Sequence, residues 1–348
     1  MIMNTAVASS SVVAGASYPA FSTHPGYSRM FAPERLTLGV FLPLRFFQGD
    51  MTVLQGQADL VEKLDRYGFA ATWVRDVPLF DPSFGDAGQV FDPFTYLAFL
   101  AARTTTISLA TGSAIFTLRH PLDLAKAATT IDQLSGGRLV LGIASGDRPV
   151  EFPAYGLEHS ERAQRFAESV AYFRCVMQEG ELSIHSTLGE VSGVEFLPKP
   201  VTGRVPLLVT GGSGQSLSWI AEHADGWLTY PDATHHAQGP QRLAEKIRAW
   251  RAQIPDGGFR PHTTNEWIDL VDDPNYPRTP LQGGFVLRTG RNGLMSLLND
   301  WQAAGVNHAA LGIQFAKRPA AEVIQELAEE VLPHFPSHNA VMPRTVSW

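Results

Sequence analysis

The feature that most constrains this chain is a rhythm. Short, almost continuously apolar runs of strand length alternate with segments whose apolar residues recur at three- and four-residue spacing. The first run, LTLGVFLPL from Leu36, is followed by Leu54, Ala58, Val61 and Leu64 on one helical face, stopped at Gly68. ATWV leads through the loop RDVPLFDPSFGDAGQ to a helix over 93–103. ISLATGSAI leads to a helix that opens at His120-Pro121, where proline suits the first turn because no intrahelical N–H is needed, and closes at the SGG of 135–137. RLVLGIASG pairs with a helix over 161–178, PLLVTGG with one after Ser216, and GWLTYP with one between His236 and 253. NEWIDLV pairs with a helix over 294–304, and HAALGIQF with a last one carrying Val323, Ile324, Leu327 and Val331. Runs this apolar are strands buried on both faces, as in a parallel sheet covered by helices. Eight such units in series predict an α/β fold, a closed (β/α)8 TIM barrel. An open sheet split between two domains is the alternative, but no Pro- or charge-rich linker divides the series.

Residues 180–200 break the rhythm: SIHS and VSGVEFLP read as a small β-hairpin inserted before the fifth strand, and FVLR is a candidate extra strand in the Pro-, Gly- and Arg-rich segment 272–293. The expected layout is a mobile extension over 1–35, a single barrel domain over 36–336 and a tail over 337–348. The extension is rich in Ala, Ser, Gly and Pro and carries no acidic residue before Glu34. It lacks a basic first segment and so does not read as a secretory leader, although the run SSSVVAGASYPA leaves that open. With 27 basic against 34 acidic residues, a formal charge of -7, the chain offers no basic stripe to nucleic acid. No run reaches the length of a membrane span. The single cysteine, Cys175, excludes an internal disulfide framework, fits a reducing, cytoplasmic compartment, and reads as a core thiol in a helical pattern. The adjacent His235 and His236 do not share a helix face and have no H-E-x-x-H or Cys context, so no metal site is expected.

In a (β/α)8 barrel, function sits on the loops that follow the strands. The most informative of these lies in residues 206–226, PLLVTGGSGQSLSWIAEHADG, where Gly211, Gly212, Ser213 and Gly214 separate a strand from a helix. A turn without bulky side chains lets backbone N–H groups, with the hydroxyls of Ser213 and Ser216, face an anion such as phosphate. The same residues also suit a plain turn and helix cap. Asp76 and Arg75 after the second strand, and His120 with Arg119 after the third, are the candidates for catalytic work. Each has an alternative reading: Asp76 as a loop cap, His120 as a structural residue before Pro121.

The run TLRHPLDLAKAATTIDQLSGGRLVLGIASG, followed by VPLLVTGGSGQSLSWIAEHADGW, resembles the signature of the bacterial-luciferase-like flavin monooxygenases, and the likeness extends over roughly 36–335. The resemblance implies reduced FMN as cofactor, with its phosphate at Ser213 and Ser216 on the turn Gly211–Gly214. It places Thr111, Gly112 and Ser113 beneath the isoalloxazine ring, and Ser145, Gly146, Asp147 and Arg148 beside the ring or ribityl chain. The departures are informative. Luciferase has a phosphate-binding arginine where this chain has Ser145, so Arg119, Arg148 or Arg162 must meet that charge. It has a glutamate where this chain has Gly212 and a catalytic histidine where this chain has Val77, so light emission is not expected. The related alkanesulfonate monooxygenases have a tyrosine at Ala163. A small-molecule substrate, a separate flavin reductase and a homo-oligomer, a dimer, are further implications. A deazaflavin-dependent dehydrogenase and a flavin-binding protein without turnover remain the alternatives.

Overall fold

The computed structural model describes residues 21–46, 50–81, 83, 91–231, 234, 236 and 238–338. Eight strands alternate with helices: β1 (Thr37–Phe41), β2 (Ala71–Val74), β3 (Ser108–Ile115) and β4 (Leu139–Ala144), then β7 (Leu207–Thr210), β8 (Gly226–Thr229), β9 (His262–Leu270) and β12 (His308–Gly312). Each pairs in parallel with the next, and β12 returns to β1, so the sheet closes into a barrel. The expected (β/α)8 TIM barrel is therefore the fold. The predicted hairpin is β5 (Ser183–Ser186) with β6 (Gly189–Ser192), placed before the fifth barrel strand. FVLR forms most of β11 (Val286–Thr289), which pairs with β10 (Thr279–Leu281) and adds to the outer half of β9.

The sequence reasons for the helices hold locally. α2 (Gln57–Tyr67) ends at Gly68, and α4 (Pro121–Ser135) starts on the His120 cap with Pro121 in its first turn. α3 (Pro93–Arg103), α5 (Arg162–Val176), α6 (Leu217–His223), α7 (Gly239–Arg251), α8 (Arg291–Ala304) and α9 (Ala320–Glu326) complete the outer layer. Its apolar faces meet the outward residues of the strands, such as Leu38, Val40, Leu109, Leu141 and Leu311. The inward residues, among them Phe41, Trp73, Ala110, Val140, Leu208, Trp267 and Ala310, form the barrel interior. Among the described residues no helix is long and apolar enough to cross a membrane.

The expected boundary at residue 36 needs correction. A short helix, α1 (Pro25–Met30), closes the N-terminal end of the barrel, with Tyr27, Met30 and Phe31 buried. Gly26 N donates to Gly137 O at 3.0 Å, Ser108 Oγ to Gly26 O at 2.9 Å, and Arg29 Nη2 to Phe69 O at 3.2 Å. Packed chain thus includes residues before 36, because these three aromatic and apolar side chains cover a barrel end that would otherwise expose its core. Residues 1–20, and 339–348 of the expected tail, lie outside the described residues, as does His235.

Candidate active site

A cleft of about 240 Å³ opens at the C-terminal mouth of the barrel, where the loops after the strands converge. One half is built from backbone. On β3 the pairing with β4 shifts between Thr111 and Ala114, a bulge that contains the cis peptide bond Gly112–Ser113. Gly112 and Ser113 line the cleft here. A methyl group at Gly112 would lie 2.5 Å from Phe41 Cζ and 3.2 Å from Trp73 Cε3, so only glycine fits beneath those rings. Thr111 does not face the cleft; its Oγ1 donates to Gly142 O at 2.8 Å and ties β3 to β4. Ser145, Gly146, Asp147 and Arg148 continue the wall from β4, with Arg148 buried and Asp147 at the exposed rim.

The turn after β7 contributes Thr210, Gly211, Gly212 and Ser213. A methyl group at Gly211 would meet nothing within 4 Å, and one at Gly212 only Gln215 O at 3.7 Å, so open space lies over this backbone. Ser213 sits at φ 45°, in the left-handed region, and its hydroxyl donates to Thr210 O at 2.8 Å. Its proton is thereby committed to the turn. Ser113 Oγ also hydrogen-bonds Thr210 Oγ1, which joins the β3 and β7 parts of the wall.

Several expected residues are not brought here. Gly214 packs away from the cleft, where a methyl would lie 2.5 Å from the Ala163 side chain. Ser216 caps α6, accepting from Trp219 N at 3.2 Å, and is exposed outside the cleft. Arg119 does not line the cleft; it grips Asp76 with both terminal nitrogens and also reaches Asp92 at 3.3 Å. His120 is likewise outside: its Nδ1 accepts from Leu122 N at 3.1 Å, so its Nε2 carries the proton donated to Leu188 O at 2.6 Å, holding the hairpin. Arg162, bonded to His159 O at 2.9 Å, does not line it either.

Arg75 and Asp76 do line the cleft. Asp76 is the more constrained: besides Arg119 it accepts from Ile115 N at 2.9 Å, so its carboxylate fixes the end of β3. The Arg75 guanidinium lies 5.8 Å from the centre of the Trp267 ring. The cations lining the cleft among the described residues are thus Arg75 and Arg148.

Trp267 reads in sequence as core or pocket wall without an assigned partner; Asn265, in the lining, and Glu151, which does not line the cleft, carry no such reading. Asn265 and Trp267 lie within a strand buried on both faces, where no periodic signal separates the side chains aimed at the cleft. Glu151 lies in a turn over Pro149–Tyr155 just beyond Arg148, buried and with Oε1 unsatisfied among the described residues. Burial raises its carboxyl from the usual 4.5 to about 7; Arg148 pulls the other way, and Asp76 and Asp147 add to the rise. It can exchange a proton near neutrality. Its one signal in sequence is an acid between Val150 and Phe152 at a strand's end.

The family model described as luciferase-like monooxygenase matches residues 36–261. An uncharacterized Mycobacterium tuberculosis protein is 30% identical over 184 residues, 51% of this chain and 64% of its own length. The FMNH2-dependent dimethylsulfone monooxygenase of Pseudomonas putida is 30% identical over 132 residues, 37% of this chain and 36% of its own length. The chain therefore spans between about a third and two thirds of the length of these curated relatives. Among solved structures, the monooxygenase RslO1 from Streptomyces bottropensis superposes with a TM-score of 0.72 at 20% identity, covering 86% of this chain and 99% of that one. An F420-dependent secondary alcohol dehydrogenase superposes with a TM-score of 0.70 at 16% identity, covering 87% and 100%. With a barrel of the same build and a family match over most of its length, the chain belongs to the luciferase-like monooxygenases.

Proposed function

We propose that this enzyme binds reduced FMN, delivered by a separate reductase, and uses it with dioxygen to oxygenate a small organic substrate. One oxygen atom enters the substrate and the other leaves as water, the flavin giving up two electrons. The observation that carries the reading is a cleft lined by the β3 bulge at Gly112–Ser113, by Gly146 and by the Gly211–Gly212 turn, with open space over that turn. A flavin fits it.

The residues divide the work. Gly112, Ser113, Ser145 and Gly146 let the ring lie close to backbone, and the Gly211–Ser213 turn with Arg148 receives the phosphate. Thr111, Asp76 and Arg119 act from behind, holding β3 in place. Glu151, which does not line the cleft, acts through the Arg148 charge beside it. The Phe99 ring on α3, 49% exposed, supports a homodimer. Light scattering should then give twice the chain mass, and Phe99→Asp should give the monomer; an unchanged mass in that variant would remove this surface from consideration.

The cofactor is tested by titrating FMN and FMNH2 into the wild-type protein and Ser213→Glu. A carboxylate beside the phosphate should weaken binding at least tenfold, about 1.4 kcal/mol, with the melting temperature serving as the control for folding. Wild-type protein that binds neither form at micromolar concentration, or a variant with unchanged affinity, overturns the assignment. Anaerobic turnover with a deazaflavin, without any with FMNH2 and oxygen, would select hydride transfer instead.

A further inference from the structure

The cleft is lined by two arginines among the described residues, Arg75 and Arg148, whereas FMN carries a single phosphate. The barrel strands show that the two cations serve opposite sides of the mouth. They close in the order β1, β2, β3, β4, β7, β8, β9, β12. Arg148 and the Gly211–Ser213 turn follow β4 and β7, which pair with each other. Diametrically across the ring from that pair lies the junction of β12 with β1. Arg75 follows β2, and its guanidinium lies 5.8 Å from the centre of the Trp267 ring on β9. Arg75 and the indole therefore reach across that junction from either side. The indole packs on both of its strands: its centre is 5.3 Å from that of Phe41 on β1, and a methyl group on Gly312 of β12 would lie 1.7 Å from its Cε3.

The surroundings of Arg75 hold its charge in place without an acid to cancel it from the cleft wall. An aromatic face attracts a guanidinium and fixes where it sits. The adjacent carboxylate, Asp76, is engaged by Arg119 and by Ile115 N. The other acid in the lining, Asp147, stands at the exposed rim beyond β4. Two residues before Trp267, on the same face of β9, Asn265 lines the cleft as well. It is 3% exposed, no hydrogen bond engages its side chain among the described residues, and its carboxamide is not among the polar atoms sealed from solvent. The cleft is what reaches it. A carboxamide there offers N–H donors beside a fixed positive charge.

We propose that this side of the mouth binds the carboxylate of an organic acid substrate, with Arg75 meeting its charge, Asn265 donating a hydrogen bond to it, and Phe41 and Val77 lining the space for its apolar part. The proposal rests on the flavin reading of the β4 and β7 side. A neutral amide of the same shape forfeits the charge and turns a donor towards the guanidinium, and sites built for a polar group discriminate strongly against ligands that lack it.

The test is calorimetric titration of benzoate, hexanoate and 2-naphthoate, each against its own primary amide, into the wild-type protein with and without oxidised FMN, and into Arg75→Gln, Arg75→Lys and Asn265→Leu. Wild-type protein should prefer at least one acid over its amide by about tenfold or more. Arg75→Gln should abolish that preference, Asn265→Leu should weaken the acid about threefold or more, and both should keep FMN affinity within about twofold. Melting temperature checks folding. If Arg75→Gln does not fold, Arg75→Lys decides: exchanging the guanidinium on the indole for a compact ammonium should lower the preference about threefold or more, and an unchanged preference overturns the proposal. So does wild-type protein that favours none of the acids, or a preference that survives Arg75→Gln. A parallel loss of FMN affinity in Arg75→Gln overturns it too, by assigning that arginine to the flavin. Wild-type protein that prefers an acid as stated but binds no FMN would instead sink the flavin reading and leave this one standing.

Discussion

Asp76 is the residue whose type and position suggest chemistry and whose surroundings argue for mechanics. Its side chain is 1% exposed, and its two oxygens are met by Ile115 N at 2.9 Å, Arg119 Nη2 at 2.8 Å and Arg119 Nη1. In Asp76→Asn the amide retains one acceptor but turns a donor towards a guanidinium. Removing one partner of a fully buried ion pair costs roughly 3–5 kcal/mol, because the other charge is stranded. Arg119 is 20% exposed and keeps Asp92 at 3.3 Å, so the expected loss falls to about 2–3 kcal/mol. Arg119→Gln should cost less, and the double variant should cost little more than Asp76→Asn, a coupling of at least about 1.5 kcal/mol. Urea unfolding of the four proteins measures it from midpoints at constant slope. FMN affinity of Arg119→Gln should stay within about threefold, less than 1 kcal/mol, since that side chain does not line the cleft. Coupling below about 0.5 kcal/mol would refute the reasoning and return Asp76 to the candidates for proton transfer.

The buried Glu151, just beyond Arg148, gives a further handle. Its carboxyl titrates near 7 in the folded protein against about 4.5 when free, so the folded state holds the proton more tightly. Stability from this group is complete below about pH 4.5 and is lost as the pH rises through 7. Glu151→Gln, neutral throughout, should match the wild type at pH 4.5 and exceed it by roughly 1–3 kcal/mol at pH 8. A difference that does not change with pH would show that Glu151 ionises normally.

The barrel was legible because its strands are buried on both faces, so each reads as a continuous apolar run that needs no partner to be recognised. The closing helix α1 was not: six residues, PGYSRM, supply less than two turns of pattern, and only contact with Gly137, Ser108 and Phe69 makes them a structure. The site divides along the same line. Gly112, Gly146, Gly211 and Gly212 were readable because a glycine reports on its own backbone, and all four line the cleft.

Side chains carry no such report. Arg119 and His120 are adjacent and polar at a barrel mouth, yet one turns to Asp76 and the other to Leu188 O, and nothing in LRHP states either direction. Ser216 and Gly214 look like extensions of the Gly211–Ser213 turn, but by residue 214 the chain has turned towards Ala163 and begun to cap α6. Asn265 and Trp267 fail in the opposite sense: their strand is so uniformly buried that a cleft-facing side chain looks like one more interior residue. Backbone at this mouth can therefore be inferred from residue type and order, whereas the direction each side chain takes is specified only by the fold around it.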